Sequence, residues 1–365
     1  MTAIGRLLHD LIDTGGPVDL ACFMGLALGH PRHGYYATRD PLGQKGDFTT
    51  APEISQLFGE LIGLWCAQCW IDLKRPARLH LAEFGPGRGT LMADLLRAAD
   101  TVPGLRAALQ VHLVETSPAL RRRQAALLGG SGAQWHDGLE SLPGDAPLLA
   151  VANEFLDALP IRQFQRLPDG WHERLVGRDE QRRFLFVPSP RRAALDEALG
   201  PQAAALKPGA IVELAPAREA FVAGLAERLA AQKGAALLID YAKPGPLGDT
   251  LQAVRAHRPV DPLTDPGEVD LTSRVDFAAL AAAARQAGVA AWGPLGQGAF
   301  LSRLGIGLRL ERLLQAATPA QAQALQAGAT RLVAPAAMGE LFQVMALAAG
   351  HMLPPGFSAE EGRGA

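Results

Sequence analysis

The sequence predicts an α/β protein built on a doubly wound, mostly parallel sheet, with a second, mainly helical lobe and a β insertion. Three observations carry this. From Leu79 onward, apolar strand-like runs alternate with segments of helical spacing, the pattern of a parallel sheet with helices on both faces. The first of those runs ends in a glycine-rich turn that opens a helix. The chain has 365 residues, 48% hydrophobic and 20% charged, which is enough apolar material for more than one modest core and too much for global disorder.

Taken in order, Leu7, Leu8, Leu11 and Ile12, then Leu20, Phe23 and Met24, recur at helical spacing around Gly15-Gly16-Pro17, so two short helices are expected. An aromatic and glycine-rich loop follows from Gly34-Tyr35-Tyr36 to Phe48, where Tyr35 and Tyr36 fit either a substrate mouth or an aromatic lid packed on the core. One helix is then expected from Pro52 to Ile71. Leu79–Phe84, Val111–Val114, Gly132–Asp137, Leu148–Asn153 and Ala235–Asp240 read as strands, and Phe342–Ala348 as a last, antiparallel one. Helices are placed at Thr90–Ala98, after the Ser117-Pro118 cap, at Arg218–Ala231 and at Phe277–Gln286. The stretch from Gln163 to Lys207 alternates like hairpins, and Leu301–Ala337 reads as a helical insertion. The expected divisions are 1–78 (N-terminal helices and a ligand-side loop), 79–163 and 208–300 (the two halves of the core), 164–207 (β insertion), 301–337 (helical insertion) and 338–365 (last core strand and tail).

Composition narrows the function classes. Lys+Arg 35 against Asp+Glu 37 leaves a net charge of -2, so there is no electrostatic footprint for nucleic acid. The uncharged stretch Leu341–Ala359 is interrupted by Gln343, Gly350, His351, Pro354 and Pro355, and no membrane span is expected. Cys22, Cys66 and Cys69 are too few for a disulfide framework, and the N-terminus carries neither a signal-peptide nor a transit-peptide pattern, so a cytoplasmic location is expected. Cys66-Ala-Gln-Cys69 has half-site spacing without a second Cys/His pair, and reads as core.

The chemistry concentrates at Glu83-Phe-Gly85-Pro86-Gly87-Arg-Gly89. Glycines there permit positive φ and let backbone amides approach a ligand at the positive end of a helix. A nicotinamide fingerprint needs G-x-G-x-x-G and an acidic residue about 20 positions on. Here the third glycine comes one place early and the next acidic strand end, Glu115, lies further along, which argues against a dehydrogenase. The pattern looks like the cofactor site of class I S-adenosylmethionine methyltransferases. In that resemblance Glu83 positions the amino acid part of the cofactor, Gly85, Pro86 and Gly87 form the turn it lies against, and Glu115 accepts both ribose hydroxyls.

Four further blocks sharpen the match: Gly46–Glu60, Asn153-Glu-Phe-Leu-Asp-Ala-Leu-Pro160, Val260–Thr272 and Met338–Phe342. Together with the glycine turn they resemble the MidA family, whose mitochondrial members are complex I assembly arginine methyltransferases. Ala242 is one departure, since Gly is expected there in relatives. The resemblance implies a Rossmann-like class I methyltransferase that uses S-adenosyl-L-methionine, needs no metal, and methylates an arginine of a protein, with a respiratory complex I subunit as the expected partner. A cofactor-binding assembly factor and a small-molecule methyltransferase are the alternatives.

Arginine stays protonated in water, so a guanidinium acceptor needs carboxylates to hold and aim it. Glu154 and Asp157, just past the fourth strand, are the candidates, the alternative being that Glu154 caps a following helix. Asn153 stands at the same strand end, on the cofactor side. Asp137 ends the third strand, where it would accept from the adenine amine beside Trp135. Thr50 and Gln56 fall where the cofactor tail would lie. The acids Asp261, Asp265, Glu268 and Asp270 are broken up by prolines and read as a structured substrate-side loop rather than a metal site.

Overall fold

The computed structural model describes residues 1–38, 50–191, 199, 203, 205–242, 245–255 and 258–362. The chain divides into two compact units, Met1–Pro41 with Asp157–Glu219 and Lys243–Asp276, and Leu42–Leu156 with Ala220–Ala242 and Phe277–Ala365.

The larger unit is a seven-stranded sheet whose order, by residues, is 290–296, 342–348, 234–241, 148–153, 79–84, 109–114 and 134–136. Leu79–Phe84 lies between Leu109–Val114 and Leu148–Asn153, parallel to both. Phe342–Ala348 runs antiparallel to Gly234–Tyr241 and to Ala290–Gly296. The strands Leu79–Phe84 and Leu148–Asn153 are buried at every position, the signature of a central parallel strand covered on both faces. Because the chain winds outward from Leu79–Phe84 through 109–114 and 134–136 and then returns to 148–153 on its other side, the order switches between Phe84 and Asn153. Ligands bind beyond the carboxyl ends of the strands at such a point.

Side-chain alternation sorts the sheet into two faces. Leu81, Leu113, Val151, Leu237 and Ile239 share one core with Leu57, Leu61, Leu91 and Leu95 of the helices Gln56–Asp72 and Thr90–Ala99. Each such side chain contributes roughly 1.5–3 kcal/mol through burial. On the other face three histidines stand in a row, His80 Nδ1 3.0 Å from His112 Nε2 and His112 Nδ1 2.9 Å from His136 Nε2, with Asp145 Oδ1 2.9 Å from His80 Nε2.

The smaller unit holds the helices Ala3–Gly15 and Leu20–Gly29, capped by the side chains of Thr2 and Asp19, and two antiparallel sheets. One sheet contains the hairpin strands Arg162–Leu167 and Gly170–Arg178 with Phe184–Pro188 and Ile211–Leu214, so the expected β insertion is present. The other is formed by Gln252–Arg255, Arg258–Val260 and Asp270–Thr272, where only a loop was expected. This unit is therefore as much sheet as helix. The helices at Gln297–Arg303, Ile306–Leu314 and Pro319–Val333 pack in the larger unit rather than in a second lobe.

Two further corrections bear on the site. The expected helix Pro52–Ile71 is two, Ala51–Ile54 and Gln56–Asp72, broken at Ser55, whose extended backbone and side chain cap the second helix at the Leu57 amide. Ala290–Gly296 is an edge strand with a register shift, not anticipated because Gly293-Pro294 reads as a turn. The loop around Gly34 contains a helical turn at Tyr35–Thr38, and residues 39–49 lie outside the described residues. Tyr35 is buried in the core and the Tyr36 hydroxyl donates to Asp270 at 3.0 Å, which favours the packed reading of the pair. Among the described residues no helix is long and apolar enough to cross a membrane.

Candidate active site

The carboxyl ends of 79–84, 109–114 and 148–153 present three polar side chains on one face. Glu83 is opposite Val151 and Leu113 in register, and Asn153 and Glu115 each come two residues further along their strands, so all three point the same way. All three are buried. The Met92 amide donates to the Glu83 carboxyl, while Glu83 Oε2 and Asn153 Oδ1 have no hydrogen-bond partner among the described residues. Burial, reinforced by the neighbouring charge of Glu115, pushes the Glu83 carboxyl up to about 8 despite the Met92 bond. Burial also raises Glu115, against amide bonds from Ser117 and Thr116 and a side-chain bond from Gln124.

The turn between strand and helix has Gly85 at φ +63° and Gly87 at φ +53°, and the Gly89 amide donates to the Pro86 carbonyl at 2.7 Å. A Cβ at Gly85 would stand 2.9 Å from Phe155 Cδ2, so only glycine fits between the turn and the next strand end. Gln124 braces this turn from the following helix. It donates to the Gly87 carbonyl at 2.7 Å and to Glu115 at 3.3 Å, and accepts from the Trp135 indole at 2.8 Å.

Glu154 is held at φ +51°, a left-handed conformation uncommon for a residue with a side chain. Its amide donates to the Ile239 carbonyl at 2.9 Å. Its Oε1 accepts from the Ala51 amide at 3.0 Å and from Asn153 Nδ2 at 3.2 Å. No helix follows it before strand Arg162–Leu167, so it does not cap one; it binds the start of the turn Ala51–Ile54 instead. Thr50 precedes that turn without a side-chain cap bond, and Gln56 is exposed at the start of the next helix.

Asp137 is 88% exposed and is paired with Arg121 at 2.6 Å. Arg121 also donates to the carbonyls of Glu115 and His136, fixing the ends of two strands. Asp157 belongs to the smaller unit, where its carbonyl accepts from the buried Arg218 at 3.0 Å and from the Ser273 amide. Its carboxyl is pushed up to about 6 by burial, with Arg218 acting in the opposite direction. Cys66 and Cys69 are buried in helix Gln56–Asp72, and burial raises both thiols, as core packing requires. Among the described residues no group of three or more side chains is arranged to hold a metal.

A family model described as S-adenosyl-L-methionine-dependent methyltransferases matches residues 61–295, a span that includes the glycine turn and every strand end just described. The chain belongs to this family, the MidA methyltransferases. A mouse relative named "Protein arginine methyltransferase NDUFAF7, mitochondrial" is 36% identical over 378 residues, 95% of this chain and 84% of its own length. The human protein of the same name is 36% identical over 380 residues, 95% of this chain and 83% of its own length. A solved Burkholderia thailandensis structure bound to S-adenosyl-homocysteine superposes with a TM-score of 0.86 at 30% identity, covering 98% of this chain and 96% of that one.

The protein is thus an S-adenosyl-L-methionine-dependent methyltransferase. The residues present fit that cofactor. Its methionine ammonium is a multiple donor, and two buried acceptors without partners among the described residues, Glu83 Oε2 and Asn153 Oδ1, stand on the same sheet face at neighbouring strand ends. The cytoplasmic expectation is overturned by the relatives, which are named mitochondrial. Sparse cysteine reports only a reducing environment and does not identify a compartment. Sequence reasoning missed Gln124 and Arg121. Gln124 left a trace, since it interrupts the buried series Leu120–Leu128 at the same helical spacing.

Proposed function

We propose that this methyltransferase transfers a methyl group to an arginine nitrogen of a protein, with a respiratory complex I subunit as the substrate. The observation that carries the reading is the agreement with proteins named arginine methyltransferases over 95% of the chain. In this reading Glu83 and Asn153 hold the cofactor's ammonium, Gly85, Pro86 and Gly87 let it lie against the turn, and Glu115 accepts the ribose hydroxyls. Asp137 receives the adenine amine, and Thr50 and Gln56 flank the tail. A carboxylate suits a diol because it offers acceptors to two donors at once. The cofactor supplies an electrophilic methyl on sulfur.

Glu154 and Asp157 are assigned to the acceptor. Glu154 Oε1 accepts from the Ala51 amide and from Asn153 Nδ2, which fix the carboxylate at the end of strand Leu148–Asn153, and its charge is what would orient a guanidinium. Asp157, raised toward neutrality by burial, suits the proton that arginine must lose on methylation. Incubation with labelled S-adenosylmethionine and a host lysate, followed by mass spectrometry of labelled peptides, tests this. A labelled arginine in a respiratory subunit supports the proposal. Tight cofactor binding with label on no peptide favours an assembly factor, and label on a small molecule favours the third alternative.

A further inference from the structure

The turn Ala51–Ile54 is fastened at both sides of the switch point. On one side the Ala51 amide binds Glu154, the first residue beyond strand Leu148–Asn153. On the other, Glu53 Oε1 accepts from Thr90 Oγ1 at 2.5 Å and Glu53 Oε2 lies 3.7 Å from Arg88 Nη1. Arg88 is within the glycine turn and Thr90 is the first residue of the helix it opens. Ala51 is fully buried in the core that also contains Leu81, Val151 and Leu113, which places the turn on the face where Glu83, Asn153 and Glu115 converge. From behind, helix Pro319–Val333 backs it at Gly328, where a Cβ would stand 3.1 Å from Ser55 Cβ. The turn therefore bridges the carboxyl ends of the two strands at the switch point.

We propose that Glu53 is a positioning residue for methyl transfer, fastening this bridge to the glycine turn and so setting how long the cofactor product stays in the crevice. The inference rests on the cofactor lying at the glycine turn. Glu53 acts through Thr90 and Arg88, which fix the turn's shape, while Glu154 fixes the other end. Release of the Glu53 fastening loosens the end of the bridge at the glycine turn while Ala51 stays seated in the core.

The test uses the full-length protein and S-adenosyl-homocysteine as probe. Glu53→Ala is expected to speed dissociation of the probe by roughly 10- to 100-fold, the size of a lost charged hydrogen bond, while the melting temperature of the ligand-free protein changes little. Amide hydrogen exchange at Ala51, Glu53 and Ile54 should accelerate in the bound protein. Thr90→Val, which leaves Arg88 beside Glu53, should speed dissociation by less, and the double variant should be no worse than Glu53→Ala alone, because the Thr90 contact is already lost there. Glu53→Gln, which keeps an acceptor for Thr90, should restore part of the slow release. Unchanged dissociation in Glu53→Ala, or effects of the two substitutions that simply add, would overturn the inference. A Gly87→Val variant run alongside separates this outcome from failure of the site itself: if Gly87→Val binds the probe normally, the cofactor does not lie at the turn.

Discussion

Replacing Glu83 by glutamine is expected to move stability and binding in opposite directions. The wild-type carboxyl is buried at a strand end, accepts one amide bond from Met92, and is raised from 4.5 to about 8, first by burial and also by Glu115. Its folded value lies above its unfolded one, so as pH rises the unfolded chain gives up this proton first. Ligand-free stability therefore declines from the ordinary carboxyl range up to about pH 8 and levels off above it. At 1.36 kcal/mol per pH unit, the full penalty is about 5 kcal/mol. Glu83→Gln removes that penalty, so the ligand-free variant should melt higher than wild type at pH 9 and about equally at pH 4. Binding should show the reverse. The ammonium of the cofactor loses a charge-assisted bond worth about 1.5–3 kcal/mol, which weakens affinity by roughly 10- to 150-fold. In the wild type the same ammonium favours the ionised carboxyl, so affinity should rise with pH up to about 8 and binding should release a proton below it. Scanning calorimetry at three pH values and titration with S-adenosyl-homocysteine measure both effects. A variant that is no more stable at pH 9 and binds the product as tightly as wild type would refute the assignment of Glu83.

Gly87→Val should abolish product binding in titration calorimetry, because a branched side chain at φ +53° is strained and enters the cofactor's path, while circular dichroism stays near wild type. Glu154→Gln keeps an acceptor for the Ala51 amide but loses the charge, so transfer rates should fall roughly 10- to 150-fold with product affinity nearly unchanged; joint loss of both would make Glu154 a cofactor or structural residue. His112 is lowered to about 4 by burial and by its neighbours His80 and His136, so the unfolded chain takes up this proton first and about 3 kcal/mol of stability should be lost between pH 6.5 and 4. His112→Asn should flatten that part of a stability-against-pH curve measured by urea unfolding.

The elements legible in the sequence are those whose signal is local. Leu148–Asn153 is apolar up to its closing asparagine and Leu79–Phe84 is mostly apolar and closed by the glycine turn, while Glu115 was picked out by the family resemblance. Ser55 breaks a helix whose apolar periodicity runs on across it, so the capping serine was concealed by the pattern on either side. The sheet at 252–272 is made of strands three or four residues long, one of them containing Pro259, too short for an alternating pattern to register. The same division holds at the site. Glu83 and Asn153 come together because Glu83 stands opposite Val151 in a parallel register, and the joining of Glu53 to Thr90 or of Gln124 to Gly87 depends on how helices seat on the sheet. Such pairings are set by packing between segments far apart in the chain, and single-sequence periodicity does not encode them.

The most direct measurement is a crystal structure of this protein with S-adenosyl-homocysteine. The ammonium of the product is expected within hydrogen-bond distance of Glu83 Oε2 and Asn153 Oδ1, the ribose hydroxyls on Glu115, and the bridge Ala51–Ile54 still joined to Glu154. A product bound elsewhere, or lying at the glycine turn with its ammonium turned away from both acceptors, would contradict the account of how this chain holds its cofactor.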